Sequence, residues 1–213
     1  AFIAIPDTND VTVTTYTGAA TTSPPNFSKN VVYPSTPLTA PPVVDQGGGD
    51  DLDLGELAFS GAAWRNGKLF ATATGTCTGP VACIRLIGVG TESGVTLIED
   101  EKYKSTTDAD WFSPSVAIDG AGYVHTAATA VSETDGNGPS LAVLTLTKTV
   151  LADPAGTNLK ARVIDLGTDA FDDNGTPGET VDWYGSTGAA LDPTSPWDVW
   201  VTGAVGSDVI ANP

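Results

Sequence analysis

Three segments of this 213-residue chain follow one grammar, and that recurrence constrains the fold more than any other feature. They are Phe59-Ser-Gly-Ala-Ala-Trp-Arg-Asn-Gly-Lys-Leu-Phe70, Phe112-Ser-Pro-Ser-Val-Ala-Ile-Asp-Gly-Ala-Gly-Tyr-Val-His125 and Tyr184-Gly-Ser-Thr-Gly-Ala-Ala-Leu-Asp-Pro-Thr-Ser-Pro-Trp-Asp-Val-Trp200. In each, an aromatic leads into small residues, a short apolar strand, a polar turn and a second strand. Gly61, Ser115 and Gly188 correspond, as do Ala63, Ala117 and Ala190, then Trp64, Ile118 and Leu191. Small residues at matching places in a first strand are what a β-propeller needs, because inner strands crowd the axis where neighbouring sheets approach. A β-sandwich, the alternative all-β architecture, imposes no such recurrence.

The rest of the chain agrees with an all-β reading. Thr, Val, Ala and Gly dominate, 24 residues are Gly and 15 are Pro, and good helix formers are sparse. Strand-like runs fall at 1–5, 11–17, 62–64, 68–76, 82–90, 95–99, 116–118, 123–131, 141–146, 161–166, 189–191 and 198–204. Residues 19–53 are rich in Thr, Pro and Gly and are expected to form a long irregular connection within one domain, 1–213. The expectation is four-stranded, propeller-like blades, about three blades' worth, against the four to eight of closed propellers. Either the chain is a piece of a longer propeller, or a partner chain or a homo-oligomer completes the ring.

Trp-Arg-Asn-Gly-Lys-Leu-Phe at 64–70, Ser-Pro-Ser-Val-Ala-Ile-Asp-Gly-Ala-Gly at 113–122 and Gly-Ala-Ala-Leu-Asp-Pro at 188–193 resemble bacterial secreted β-propeller repeats over roughly residues 57–204. Ser115, Asp119, Gly122 and Tyr123 are also similar to the Asp-box turn of sialidase-like propellers, although the usual Thr-Trp ending of that box is missing. What the resemblance implies is architecture, since Asp boxes are structural turns in that family and activity does not travel with them.

The formal net charge is −17, which repels the phosphate backbone of nucleic acid and argues against nucleic-acid binding. No apolar stretch approaches the roughly 20 residues of a bilayer crossing, so no membrane span is expected. Cys77 and Cys83 flank a Thr78-Gly79-Pro80 turn signal between strand-like runs, which predicts a cross-hairpin disulfide and an oxidising, extracellular or cell-surface location.

Asp110-Trp111-Phe112 and Asp182-Trp183-Tyr184 recur ahead of successive repeats, where a propeller chain enters beside its axis. Indole faces stack on sugars and carboxylates accept hydroxyl hydrogen bonds or bind Ca²⁺, so Asp110, Trp111, Asp182, Trp183 and Tyr184 are the candidate ligand-binding set. Their competing role is to plug the gaps between blades. Glu133, Asp135 and Asn137 place oxygen donors at alternate positions before Gly138, like the opening of a Ca²⁺ loop, but Leu144 stands where such a loop needs a bidentate Glu. Asp45–Asp53 and Asp169–Asp173 are comparable acidic turns. His125 is the only histidine, and Arg65, Arg85 and Arg162 fall at unrelated points of the repeat, which disfavours triad and sialidase chemistry alike. The leading expectation is a non-catalytic secreted module binding glycan or protein, with Ca²⁺ as its candidate cofactor. The alternatives are an extracellular polysaccharide hydrolase with Asp110 and Asp182 as paired carboxylates, and a structural or assembly component.

Overall fold

The computed structural model describes residues 2–7, 9–17, 26–47, 50–77, 79–104, 109–132, 137–146, 159–168, 170, 179–183 and 186–206. It is all-β. The strands are β1 (Phe2–Asp7), β2 (Asp10–Thr17), β3 (Asn26–Val32), β4 (Asp51–Asp53), β5 (Phe59–Arg65), β6 (Lys68–Thr76), β7 (Ala82–Gly90), β8 (Thr96–Tyr103), β9 (Ala109–Ile118), β10 (Val124–Ser132), β11 (Asn137–Leu146), β12 (Leu159–Asp165), β13 (Thr180–Asp182), β14 (Gly188–Leu191) and β15 (Val199–Thr202). Two of the sheets, β5-β6-β7-β8 and β9-β10-β11-β12, are four-stranded antiparallel meanders in chain order, as a propeller blade is. A three-stranded sheet, β1-β2-β3, precedes them and the hairpin β14-β15 follows, while β4 and β13 form a short parallel pair.

Turn chemistry sets each blade's first hairpin. Asn66 and Gly67 have φ of 47° and 72° and connect Arg65 to its partner Lys68, the left-handed two-residue turn that twists in register with its strands. In the second blade Asp119 and Gly122, the latter at φ 85°, close a longer turn through Asp119 N–H to Tyr123 O (3.0 Å) and Gly122 N–H to Asp119 O (3.0 Å). Cys77 and Cys83 form a disulfide with Cα atoms 5.7 Å apart, closing the β6–β7 hairpin beyond the Thr76–Ala82 pair.

The sheets stack face to face in chain order. Val11, Val13 and Val32 of the first sheet pack with Leu69, Ile87 and Val89 of the first blade. That blade's opposite face presents Phe70, Ile84 and Leu86 to Trp111, Val116, Ile118, Val124 and Leu144 of the second. Burying such side chains at about 25 cal/mol per Å² makes these two seams the main apolar stabilisation.

The first strands meet through their backbones. A Cβ added at Gly61 would lie 3.0 Å from Ser115 Cα and 3.2 Å from the Val116 amide nitrogen, so β5 approaches β9 as closely as a glycine permits. Bulges stand at matching places, between Phe59 and Gly61 in β5 and where Ser115 and Phe112 pair with Ala127 and Thr129 in β9. The second bulge turns Pro114 O out of its ladder, and it accepts from Ser60 Oγ and from Thr72 Oγ1 (3.3 Å) across the seam. On the other side Thr187 Oγ1 donates to Ser113 O (2.6 Å) and tethers the third repeat.

Two expectations are corrected. The connection at 19–53 contains β3 and β4, because the Asn26–Val32 run pairs along β2 from Val11↔Val32 to Thr17↔Asn26 despite its Pro-rich surroundings. Asp110-Trp111-Phe112 lies inside β9, since the bulge absorbs Pro114 and Ser113 (φ 49°) and the strand continues through them.

Gly61→Ala is expected to lower unfolding free energy by about 1–3 kcal/mol, because backbone atoms face the new methyl. Gly188→Ala, whose nearest neighbour is the rotatable Thr202 hydroxyl at 2.8 Å, should cost less; urea denaturation of the two variants measures the contrast.

Candidate functional site

The repeat alignment becomes geometry at one cleft of about 270 Å³, lined by Ala62, Ala63, Trp64 and Arg65 of β5, Val116, Ala117 and Ile118 of β9, and Ala189, Ala190 and Leu191 of β14. Corresponding residues of three successive first strands thus line one cleft. The cleft has two unlike ends.

At the entry end, a second cleft of about 230 Å³ is lined by Glu56, Ser60, Thr74, Ser113, Ser186 and Thr187, among others. The Asp-Trp pairs do not line it. Trp111 is buried in the seam between the two blades, where its indole is not offered to a ligand. Asp110 Oδ1 accepts the Ala82 N–H. Asp182 is exposed on β13 opposite Asp53, and Trp183 packs edge-on against Phe112, centroids 5.7 Å apart at 90°. Tyr184, Glu133 and Asp135 lie outside the described residues, and Asn137 opens β11 opposite Ser132. Asp45 and Asp53 hold their own turns, accepting from Gly47 N (2.7 Å) and Gly55 N (2.8 Å). Among the described residues no three His, Cys, Asp or Glu side chains converge as a metal set.

At the turn end the hairpins of all three repeats gather. Gly120 N–H donates to Pro196 O, joining the second and third turns. Arg65, Asn66 and Lys68 of the first turn share a pocket of about 180 Å³ with Phe70, Ile118, Ala121 and Gly122. Trp64, Tyr123, Trp197 and Trp200, each in or near one of these turns along the chain, are exposed. Trp64 is held in place by its indole N–H donating to Thr91 Oγ1 (3.1 Å). The turn side is marked in the sequence by tryptophan at the end of the first repeat's strand and in the turn of the third, whereas the Asp-Trp pairs mark the entry side.

The second and third turns each carry a polar clamp. In the second, Asp119 Oδ1 accepts from Tyr123 N (2.9 Å) and Oδ2 pairs with His125 Nε2 (3.0 Å), while His125 Nδ1 shares a hydrogen bond with Thr145 Oγ1 (3.2 Å). Burial works to raise the Asp119 pKa, but the bonds from His125 and the Tyr123 backbone outweigh it and hold the carboxyl below its ordinary value. In the third, Asp192 Oδ1 takes the Thr194 hydroxyl and N–H (both 2.6 Å) and Oδ2 the Trp200 indole N–H (2.8 Å), and these bonds lower its pKa, those from Thr194 first.

Arg65 and Lys68 are the electrostatic anomaly of the rim. The chain has 26 carboxylates and nine Lys and Arg, yet among the described residues neither cation forms an ion pair, and Arg65 Nε is buried with no hydrogen-bond partner. By contrast Arg85 is paired with Asp100 and bonded to Thr36 Oγ1 (2.8 Å).

Comparison with known proteins found no matching family model, no matching curated protein and no matching solved structure.

Because folding depresses the Asp119 pKa, its contribution is present above the ordinary value of 3.8 and disappears as pH falls through the lower folded value. Asp119→Asn should therefore be less stable than the parent by about 1–3 kcal/mol at neutral pH, with the gap closing on acidification; urea midpoints across pH 2–7 measure it.

Proposed function

We propose that the chain is an extracellular, non-catalytic propeller-type module that binds saccharide at the turn-end rim, and that the saccharide carries a carboxylate. One observation carries this reading: in a strongly acidic chain, Arg65 and Lys68 share a turn-end pocket and form no ion pair among the described residues, while the exposed Trp64, anchored through Thr91, lines with Arg65 the cleft of the three first strands. A guanidinium takes a carboxylate by two parallel hydrogen bonds, and Trp64 supplies a flat face for the apolar side of a sugar ring. The overall negative charge does not forbid this, since charges beyond about 8 Å are screened at physiological ionic strength.

Secretion belongs to the same proposal, supported by the Cys77–Cys83 disulfide and by the lack of any helix among the described residues long and apolar enough to cross a membrane. Structural Ca²⁺ at the Glu133, Asp135 and Asn137 turn is also part of it, supported by the alternation of oxygen donors in sequence.

Calorimetric titration with uronic-acid oligosaccharides and their neutral counterparts tests the reading. Trp64→Ala should weaken both ligands about tenfold or more, and Arg65→Ala should weaken only the acidic one by a similar factor. Binding that ignores both substitutions would refute it, and so would turnover abolished by Asp110→Asn and Asp182→Asn, which would move the protein to the hydrolases.

A further inference from the structure

The seam between the two blades holds carboxylates on one side only. The second blade brings Trp111, Val116, Ile118, Val124 and Leu144 to it, and no charged side chain joins that cluster. The first blade brings Phe70, Ile84, Leu86 and Tyr103, and its outer strand adds acid to the same face. In β8, Glu99 pairs with Gly88, Glu101 with Leu86 and Tyr103 with Ile84. Paired residues of a sheet share a face, so Glu99, Glu101 and Tyr103 stand in a row on the side turned to the second blade. Glu99 is 7% exposed, a depth at which a carboxylate is ordinarily paired with a cation.

The nearby cations serve other places. Arg85 and Lys102 pair with each other across β7 and β8 and alternate onto the reverse face, where Arg85 meets Asp100 and Lys102 Nζ donates to Thr76 O (3.0 Å). Arg65 and Lys68 share the seam face but lie toward the turn end, and among the described residues neither forms an ion pair. His125 is opposite Ala117 and turns to the other face of its blade. What Glu99 has is one long bond from the Tyr103 hydroxyl to its Oε1 (3.4 Å) and an apolar bed. A Cβ added at Gly88 would lie 2.6 Å from Phe70 Cε1 and 2.7 Å from Glu99 Cβ, so ring and carboxylate stem close over the glycine. Burial first, then the charges of Glu101 and Asp100, push the Glu99 pKa from 4.5 up to about 7 against the opposing Tyr103 bond; burial and Asp100 raise that of Glu101 as well.

We propose that Glu99 makes this seam an acid-tightened latch: carrying its proton it lies neutral beneath the second blade, and losing it as pH rises puts an uncompensated charge there that loosens β8. An ionised carboxylate in an apolar seam with acidic neighbours is costly, and opening the strand edge to water relieves it. Because the folded pKa lies above the unfolded 4.5, the stabilisation is complete below about 4.5 and is lost as pH rises through about 7. The Asp119 and Asp192 clamps run in the opposite sense, but their windows lie below 3.8 and leave pH 5–8 untouched. The latch does not rest on the saccharide reading.

Urea denaturation of the parent and of Glu99→Gln at pH 5 and pH 8 tests the latch. The ratio of the parent's unfolding constant to the variant's should rise about tenfold or more between the two. Amide hydrogen exchange locates the change: at pH 8 the amides of β8 should exchange several-fold faster in the parent than in the variant, and at pH 5 the two should agree. Comparison at a single pH cancels base catalysis of the exchange itself. Carboxyl ¹³C shifts of the parent supply a reading that needs no variant, with the Glu99 carboxyl titrating near pH 7. A ratio that stays flat from pH 5 to pH 8 would overturn the proposal. So would β8 amides indifferent to the substitution at pH 8, or a Glu99 carboxyl that titrates near the ordinary 4.5.

Discussion

Everything in this fold is arranged around the close approach of one inner strand to the next. At Gly61 the β5 backbone leaves no room for a side chain against Ser115 and Val116, and the carbonyl freed by the β9 bulge is claimed by hydroxyls of the neighbouring blade. Polar backbone groups brought this near an apolar seam would be costly if left unbonded, and the short hydroxyl side chains Ser60, Thr72 and Thr187 supply the missing partners. Crowding at the axis is therefore the cause of the small-residue signature. It also dictates where large side chains go: outward into the seams, as for Phe70 and Trp111, or to the end of the strand, as for Trp64.

That division has chemical consequences. Aromatics committed to the seams stabilise the stack and are lost to recognition, while Trp64, Tyr123, Trp197 and Trp200 in or near the turns remain exposed. The Asp119 and Asp192 clamps hold the turns in fixed shapes through bonds to backbone and ring N–H groups, so the rim is preorganised and loses little conformational freedom when a ligand arrives. The two clamps also bring the second and third turns into register with the first, whose Asn66-Gly67 corner needs no carboxylate.

Much of the fold was legible in the sequence because the same physical demand is met three times. Gly61, Ser115 and Gly188 were aligned by type alone, and the corresponding strands line one cleft. The Cys77–Cys83 bridge was legible for a similar reason, a short hairpin leaving few geometries. The ligand set was less legible. Asp110-Trp111 and Asp182-Trp183 look alike in sequence, yet one pair lies inside β9 and the other at the end of β13, whose partner β4 stands 129 positions earlier in the chain. Long-range pairing of three-residue strands leaves no local pattern to read. Nor did β3 announce itself, since its outward residues alternate with polar ones in a stretch framed by prolines.

The convergence of the first strands on one axis is most directly tested by proton NMR of the labelled protein. A strong nuclear Overhauser cross-peak between the Gly61 α-protons and the Val116 amide proton is expected, since the glycine's missing Cβ would sit 3.2 Å from that nitrogen. If Gly61 instead gave no peaks to β9 and its α-protons reported a facing sheet, as in a sandwich, the shared axis and the rim built on it would both be contradicted.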